Sequence, residues 1–126
     1  MIWVNNMHLM LVPLYLKRLD IFANIGFYLH SPFPSSDIFR TFVYRAEIVK
    51  SLLCCDVVAF HIFEYARNFL AVCQKVLKLE VSIKKGGFML VQYHGRNILL
   101  KVNHIGIDIE EVENMIKSQD FLNFKY

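Results

Sequence analysis

The chain lacks the short motifs that identify the commonest metal sites and several classes of enzyme. Its five histidines and three cysteines include no His-x-x-x-His or Cys-x-x-Cys pair, so the sequence predicts no zinc site. No Gly-x-Ser-x-Gly occurs, which removes the elbow that characterises many serine hydrolases. The lysine-glycine stretch 84–87 is outside the strand–loop–helix setting of a phosphate-binding loop. These absences leave the order of the predicted elements as the main source of functional information.

The sequence also has little net charge. Its 14 Lys and Arg residues and 11 Asp and Glu residues are scattered along the chain and leave a net charge of +3. A nucleic-acid-binding protein would show a basic patch or stripe. We therefore predict no nucleic-acid partner.

No apolar run is long enough to cross a membrane. The uncharged segment 1–16 comes closest, but Asn5, Asn6, His8 and Pro13 interrupt it. It is also shorter than the ~20 apolar residues that a spanning helix needs, and no basic residue precedes it. We predict a strand and an amphipathic helix here, with no membrane association.

The cysteines do not form a disulfide framework. There are three of them, Cys54, Cys55 and Cys73, so the number is odd and two are adjacent. This pattern favours buried free thiols in a reducing compartment, which we take to be the cytoplasm.

What the chain does have is an alternation of apolar runs and helical patterns. Hydrophobic residues make up 56% of the sequence. That content fits a parallel sheet whose strands are apolar on both faces, and it equally fits a segment of a larger protein. Predicted strands at 2–4, 25–29 and 56–60 alternate with predicted helices at 8–18, 37–42, 46–53 and 63–78. The order predicts a mostly parallel, Rossmann-like α/β sheet with right-handed crossovers.

The pattern changes in the last third of the chain. Apolar runs at 89–93 and 97–102 enclose a short gap containing Gly95, which predicts a β-hairpin near the C-terminus. Asp108 is placed to cap a last helix, 110–117. We predict one incomplete Rossmann-like domain over 1–118, followed by a tail, 119–126, without periodicity.

Position within this order selects the first candidate site residues. His30 and Ser31 directly follow the predicted strand 25–29, and a stiff loop containing Pro32 and Pro34 comes next. Ligands of open α/β sheets bind at the carboxyl ends of strands, where both residues are expected to lie. His61 follows the next strand and is a weaker candidate. A core histidine satisfied by the backbone is an equally weighted interpretation of His30.

Several segments, taken together, form a pattern known from one enzyme family. The first reads Gly-Phe-Tyr-Leu-His-Ser-Pro-Phe-Pro-Ser-Ser-Asp-Ile-Phe-Arg-Thr, from Gly26 to Thr41. The others are Ile2-Trp3-Val4 with His8-Leu9-Met10, Phe60-His61 with Tyr65-Ala66-Arg67 and Phe69-Leu70, and Tyr93-His94-Gly95-Arg96 with Ile105-Gly106-Ile107-Asp108. In order and spacing this set resembles the trehalose-6-phosphate synthases over about residues 2–112, and most of all their longer plant and protist members.

The resemblance implies a retaining glycosyltransferase built from two facing Rossmann-like domains, the GT-B arrangement. Its members transfer glucose from UDP-glucose to glucose 6-phosphate, with no metal, no other cofactor and no covalent protein nucleophile. The chain would be part of the N-terminal domain. By this resemblance His30 is the active-site histidine that lies against the donor glucose, and Ser31 lines the same pocket.

The chain departs from the family pattern beside this pocket. Asn6 stands where the family has an aspartate that binds the acceptor sugar, and Asn5 and Met7 replace its neighbouring histidine and tyrosine. His104 stands where many members have proline. An amide keeps a hydrogen-bonding oxygen and loses the charge, so Asn6 is a candidate acceptor-binding residue with altered chemistry.

The family's glycine-rich loop and the basic pair of its second domain have no counterpart in the chain. We therefore expect no catalysis by the chain without the second Rossmann-like domain. Two alternatives stay open, a non-catalytic regulatory or sugar-phosphate-sensing relative and a truncated relic. A generic flavodoxin-like binding module is a third, disfavoured by the number of matching segments.

Overall fold

The described residues form a six-stranded sheet with helices packed against it. A computed structural model describes residues 1–19, 21–84 and 88–117 of the chain. Within them the strands are β1 Ile2–Asn5, β2 Ile25–Leu29, β3 Val57–Phe60, β4 Val81–Ile83, β5 Met89–Tyr93 and β6 Arg96–Val102. Their order across the sheet is β1-β2-β3-β6-β5-β4. β1, β2, β3 and β6 are mutually parallel, whereas β5 is antiparallel to both β6 and β4. The mostly parallel α/β prediction is confirmed.

The helices that join the parallel strands form one layer. They are α1 Val12–Arg18, α2 Ser36–Phe39, α3 Arg45–Leu52 and α4 Phe63–Leu77, and a separate α5 covers Ile109–Lys117. α1 packs on α3, α3 on α4, and α4 on α2, β3 and β6. The core between this layer and the sheet contains Phe27, Leu29, Val58, Phe60, Ile98 and Leu100. Alternate residues of the same strands point to the opposite face, as the two-residue period of a strand requires.

The predicted C-terminal hairpin is present. Its turn is His94-Gly95, with φ of 48° and 74°, and two positive φ values are the requirement of a type I′ turn. Asp108 caps α5, since its Oδ1 accepts from the Glu110 and Glu111 amides at 3.0 and 3.3 Å. The short strand β4 was not predicted, because two of its three residues are exposed and no buried face marks it.

Two further expectations can be compared with the described residues, and a third cannot. Cys55 and Cys73 are buried, and burial raises the pKa of each thiol to about 12, but Cys54 is only half-buried. No helix in the described ranges is long and apolar enough to cross a membrane. The predicted tail, 119–126, lies outside the described residues.

On the sheet face opposite the helix layer, the Trp3 ring contacts Gly26. The two residues are register partners on β1 and β2. The Trp3 ring lies so close over Gly26 that a Cβ there would overlap its six-membered ring. Trp3 remains 46% exposed, and its indole lies directly over the Gly26 backbone. A glycine is required here by close approach rather than by backbone conformation.

We expect Gly26→Ala to displace the indole and to lower the free energy of unfolding by about 1–3 kcal/mol, the usual cost of overpacking. Trp3 is the one tryptophan of the chain, so its fluorescence reports the displacement directly. Gly106→Ala is the matched control, because a Cβ at Gly106 meets no atom within 4 Å. Equal losses of stability at the two glycines, or an unchanged emission spectrum for Gly26→Ala, would contradict this account.

Candidate active site

Four parallel strands deliver polar residues to one edge of the sheet. Asn6 follows β1, His30 follows β2, His61 follows β3 and Asn103 follows β6. Backbone hydrogen bonds extend the parallel ladder to this edge: the Asn6 amide donates to the Tyr28 carbonyl at 2.9 Å, and the Asn103 amide to the Phe60 carbonyl at 2.9 Å. The site residues therefore sit on the last rungs of the sheet.

The loop after His30 is fastened by an aromatic side chain. Phe33, between the two prolines, is 1% exposed and its ring packs against those of Phe39, Phe60 and Phe69. The side-chain amide of Asn68 (Nδ2) also donates to the Phe33 backbone carbonyl at 3.1 Å. These contacts anchor the proline loop in the core and restrict the backbone that carries His30 and Ser31. Ser35 occupies the N-cap position of α2, but its hydroxyl makes no capping hydrogen bond.

A tyrosine and two histidines form a hydrogen-bonded cluster at the edge. The Tyr28 hydroxyl lies 3.0 Å from His61 Nδ1, and His61 Nε2 lies 3.2 Å from His30 Nδ1. The same hydroxyl donates to the Asn103 carbonyl at 2.5 Å. Partial burial raises the pKa of Tyr28 above its ordinary value of 10.0, so the hydroxyl keeps its proton near neutral pH. The three rings pack together, with centroid separations of 4.6–5.2 Å.

Ser31 and Asn6 meet on the other side of His30. The Ser31 hydroxyl donates to Asn6 Oδ1 at 3.4 Å, and it lies 3.6 Å from Met7 Sδ. Asn6 Oδ1 also accepts from the Met7 amide at 3.0 Å. The structure thus brings His30, Ser31 and Asn6 to adjacent strand ends, and the weaker sequence candidate, His61, contacts His30 from the next strand end.

The backbone of Asn6 is strained. Its φ of 72° and ψ of 163° fall in a region that residues other than glycine almost never occupy, at a typical cost of 1–3 kcal/mol. The two hydrogen bonds to its Oδ1 hold the conformation. Such strain gathers at ligand-binding sites, where the surrounding structure imposes it.

The glycine and alanine variants should rank in opposite orders of stability at Asn6 and at Asn5. At Asn6 we expect Gly to be more stable than Ala by about 1–3 kcal/mol, because only Gly relaxes the positive φ. At Asn5, on β1, Ala should be more stable than Gly by about 0.5–1 kcal/mol. Urea unfolding of the four variants measures both differences. The same rank at both positions would show that Asn6 is unstrained.

The chemistry available at this edge is hydrogen bonding. It offers a hydroxyl from Ser31, a side-chain amide from Asn6 and two imidazoles, groups suited to the hydroxyls of a sugar. No lysine or arginine side chain takes part in the hydrogen bonds described above. Across the described part of the chain there is no group of three or more His, Cys, Asp or Glu that could hold a metal ion.

Sequence reasoning did not find Tyr28 or Asn103. Tyr28 lies inside an apolar strand, where an aromatic residue suggests core packing, and Asn103 follows a strand whose parallel partner was unknown. The signal in the sequence was the two-residue period of a strand, which places Tyr28 on the face opposite to Phe27 and Leu29. In the structure Tyr28 is the half-buried position of an otherwise buried strand.

Polar groups gathered at the carboxyl edge of a parallel, Rossmann-like sheet define a ligand-binding α/β domain. Residues 1–124 match the profile of Glycosyltransferase family 20, and the chain belongs to that family. The fold is that of the N-terminal domain of two-domain GT-B glycosyltransferases, as the solved structures below show.

Relatives and solved structures agree with this assignment. The chain is 44% identical over 115 residues to a probable α,α-trehalose-phosphate synthase (UDP-forming) of Arabidopsis thaliana, covering 91% of the chain and 13% of that relative. It is 42% identical over 122 residues to the α,α-trehalose-phosphate synthase (UDP-forming) of Schizosaccharomyces pombe, covering 94% of the chain and 23% of that relative. The chain therefore spans less than a quarter of the length of each.

Two solved structures share the fold. The N-terminal domain of trehalose-6-phosphate phosphatase from Candida albicans superposes with a TM-score of 0.82 at 33% identity, over 94% of this chain and 24% of that one. An α,α-trehalose-phosphate synthase (UDP-forming) from Burkholderia xenovorans, in complex with glucose-6-phosphate, superposes with a TM-score of 0.83 at 24% identity. The second match covers 91% of this chain and 26% of that one.

Proposed function

We propose that the chain supplies one wall of the active site of a cytoplasmic, retaining glucosyltransferase that makes trehalose 6-phosphate from UDP-glucose and glucose 6-phosphate. The observation that carries this proposal is the meeting of His30, Ser31 and Asn6 at one sheet edge, within a family whose relatives are named as UDP-forming synthases. His30 lies against the donor glucose, Ser31 lines the same pocket and Asn6 binds the acceptor sugar.

Catalysis in this arrangement is positioning plus electrostatic stabilisation. The leaving diphosphate and the oxocarbenium-like sugar both develop charge, and neither a metal nor a protein nucleophile is required. The hydrogen-bonding groups at this edge can orient the two sugars. None of them is a lysine or arginine, so we expect a facing domain to supply the positive charge for the diphosphate. We therefore expect no glucosyl transfer by the chain on its own.

A second candidate function is non-catalytic binding of a sugar phosphate. Two observations favour it: Asn6 has no charge for the acceptor, and a similar domain, 33% identical, belongs to a trehalose-6-phosphate phosphatase. In that case the edge would recognise a ligand without transferring a glucosyl group.

A segment swap decides between the two functions. The chain replaces the 122 matched residues of the S. pombe synthase, and formation of trehalose 6-phosphate is measured. We expect transfer with a raised KM for glucose 6-phosphate.

Within this chimera, Asn6→Asp should lower that KM about tenfold, because a charged hydrogen bond is roughly twice as strong as a neutral one. His30→Ala should lower kcat by about 10²-fold, because loss of a side chain that orients the donor glucose lets the substrate shift from its reactive position.

His94→Asn is the control for this swap, because His94 lies in the β5–β6 turn at the opposite end of β6 and asparagine tolerates its positive φ. A folded chimera without transfer, both as it stands and with Asn6→Asp, would overturn the catalytic proposal. If such a chimera still bound glucose 6-phosphate in calorimetry, the binding function would stand instead.

A further inference from the structure

The hydrogen bonds around Tyr28 fix where each proton of the cluster lies. A tyrosine hydroxyl has one proton to donate, and a backbone carbonyl can only accept. The Asn103 carbonyl lies 2.5 Å from the Tyr28 hydroxyl, a distance at which two oxygens with no proton between them would repel. The hydroxyl proton is therefore committed to Asn103.

The hydrogen bond from the Tyr28 hydroxyl to the Asn103 carbonyl determines the tautomer of His61. With its proton engaged, the Tyr28 oxygen can only accept at its second contact, 3.0 Å from His61 Nδ1. His61 must carry a proton on Nδ1 to make that hydrogen bond. In the neutral ring the other nitrogen, Nε2, is then a lone-pair acceptor.

The same logic passes to His30. His61 Nε2 lies 3.2 Å from His30 Nδ1, so His30 donates from Nδ1. Its Nε2, the remaining ring nitrogen, becomes an acceptor. His30 is exposed, which leaves that nitrogen available to a ligand.

Tyr28 also holds the His30 ring by direct packing. Their centroids are 4.6 Å apart with the planes tilted by 39°. His61 meets the Tyr28 ring edge-on at 5.0 Å, so both imidazoles rest on the same tyrosine. Tyr28 thus determines both the orientation of the His30 ring, by packing, and its tautomer, through His61.

We propose that Tyr28 and His61 are positioning residues that lock His30 in the Nδ1–H tautomer and present its Nε2 as a hydrogen-bond acceptor. A sugar hydroxyl, which can donate, is the group such a nitrogen selects, whereas a carbonyl or phosphate oxygen without a proton is disfavoured. This consequence for the ligand rests on the proposed function, but the tautomer itself does not.

The test is long-range ¹H–¹⁵N correlation NMR of the ligand-free chain, labelled at histidine, at about pH 8.5, where free imidazole is neutral. We expect the ratio of Nδ1–H to Nε2–H in His30 and in His61 to exceed that of free histidine by a factor of about five or more, the size of one net hydrogen bond, which makes Nδ1–H the main form of both. Free histidine in water prefers Nε2–H, so this result is specific. His30 found mainly as Nε2–H would overturn the proposal.

Tyr28→Phe distinguishes positioning from packing. It keeps the aromatic ring and removes only the acceptor oxygen. His61 should then move its proton to Nε2 and donate to His30, which would convert His30 to Nε2–H. Both histidines should change tautomer together, with the backbone amide spectrum otherwise retained. Unchanged tautomers in a folded Tyr28→Phe chain would contradict the proposal.

Tyr15→Phe is the matched control, because Tyr15 is an exposed tyrosine of α1, where its ring receives the Arg18 guanidinium at 5.6 Å. It should leave both tautomers as in the unsubstituted chain. His61→Ala gives an independent check: without its partner, His30 should return to the Nε2–H preference of free histidine. Because no ligand is present, a negative result here leaves the glucosyl-transfer measurement unaffected, and the reverse also holds.

Discussion

Parallel pairing of β1, β2, β3 and β6 is the constraint on which the site depends. Parallel strands end at the same edge, so residues far apart in sequence, such as His30 and His61, arrive beside one another. The pairing is maintained by apolar side chains on the helix-facing side. The candidate site is therefore a consequence of core burial, since each strand brings to this edge the residue that follows it in sequence.

The two faces of the sheet have different tasks. The helix-facing side is filled by Phe, Leu, Ile and Val and holds the strands in register. The opposite face carries Trp3 over Gly26 at one position and Tyr28 further along β2. Tyr28 is thus free to use its hydroxyl at the strand end, which a residue on the helix-facing side could not do.

The aromatic anchor of the proline loop connects the core to the chemistry. Phe33 is buried among three other phenylalanine rings, and two residues before it the Ser31 hydroxyl reaches Asn6. Ser31, on the anchored proline loop, donates to Asn6 Oδ1 and so helps to hold Asn6 in its strained backbone conformation. Local strain at the edge is sustained because the surrounding packing leaves few ways to relax it.

Much of the fold could be predicted from the sequence, because periodicity and turn chemistry are local properties. The strand 25–29, the Gly95 hairpin and the Asp108 cap depend on a few neighbouring residues each. Strand β4 escaped because its residues are mostly exposed and its pairing with β5 is a tertiary event.

For the site, the sequence by itself determined that His30 and Ser31 follow one strand and that the weaker candidate His61 follows the next, and the family resemblance selected Asn6. Only the tertiary structure decided that His61 contacts His30 and that Tyr28 and Asn103 join them, because these contacts span 31 to 75 residues along the chain. Hydrogen bonds over such separations arise from the order of strands in the sheet. That order is set by how the whole core packs, and no single segment encodes it.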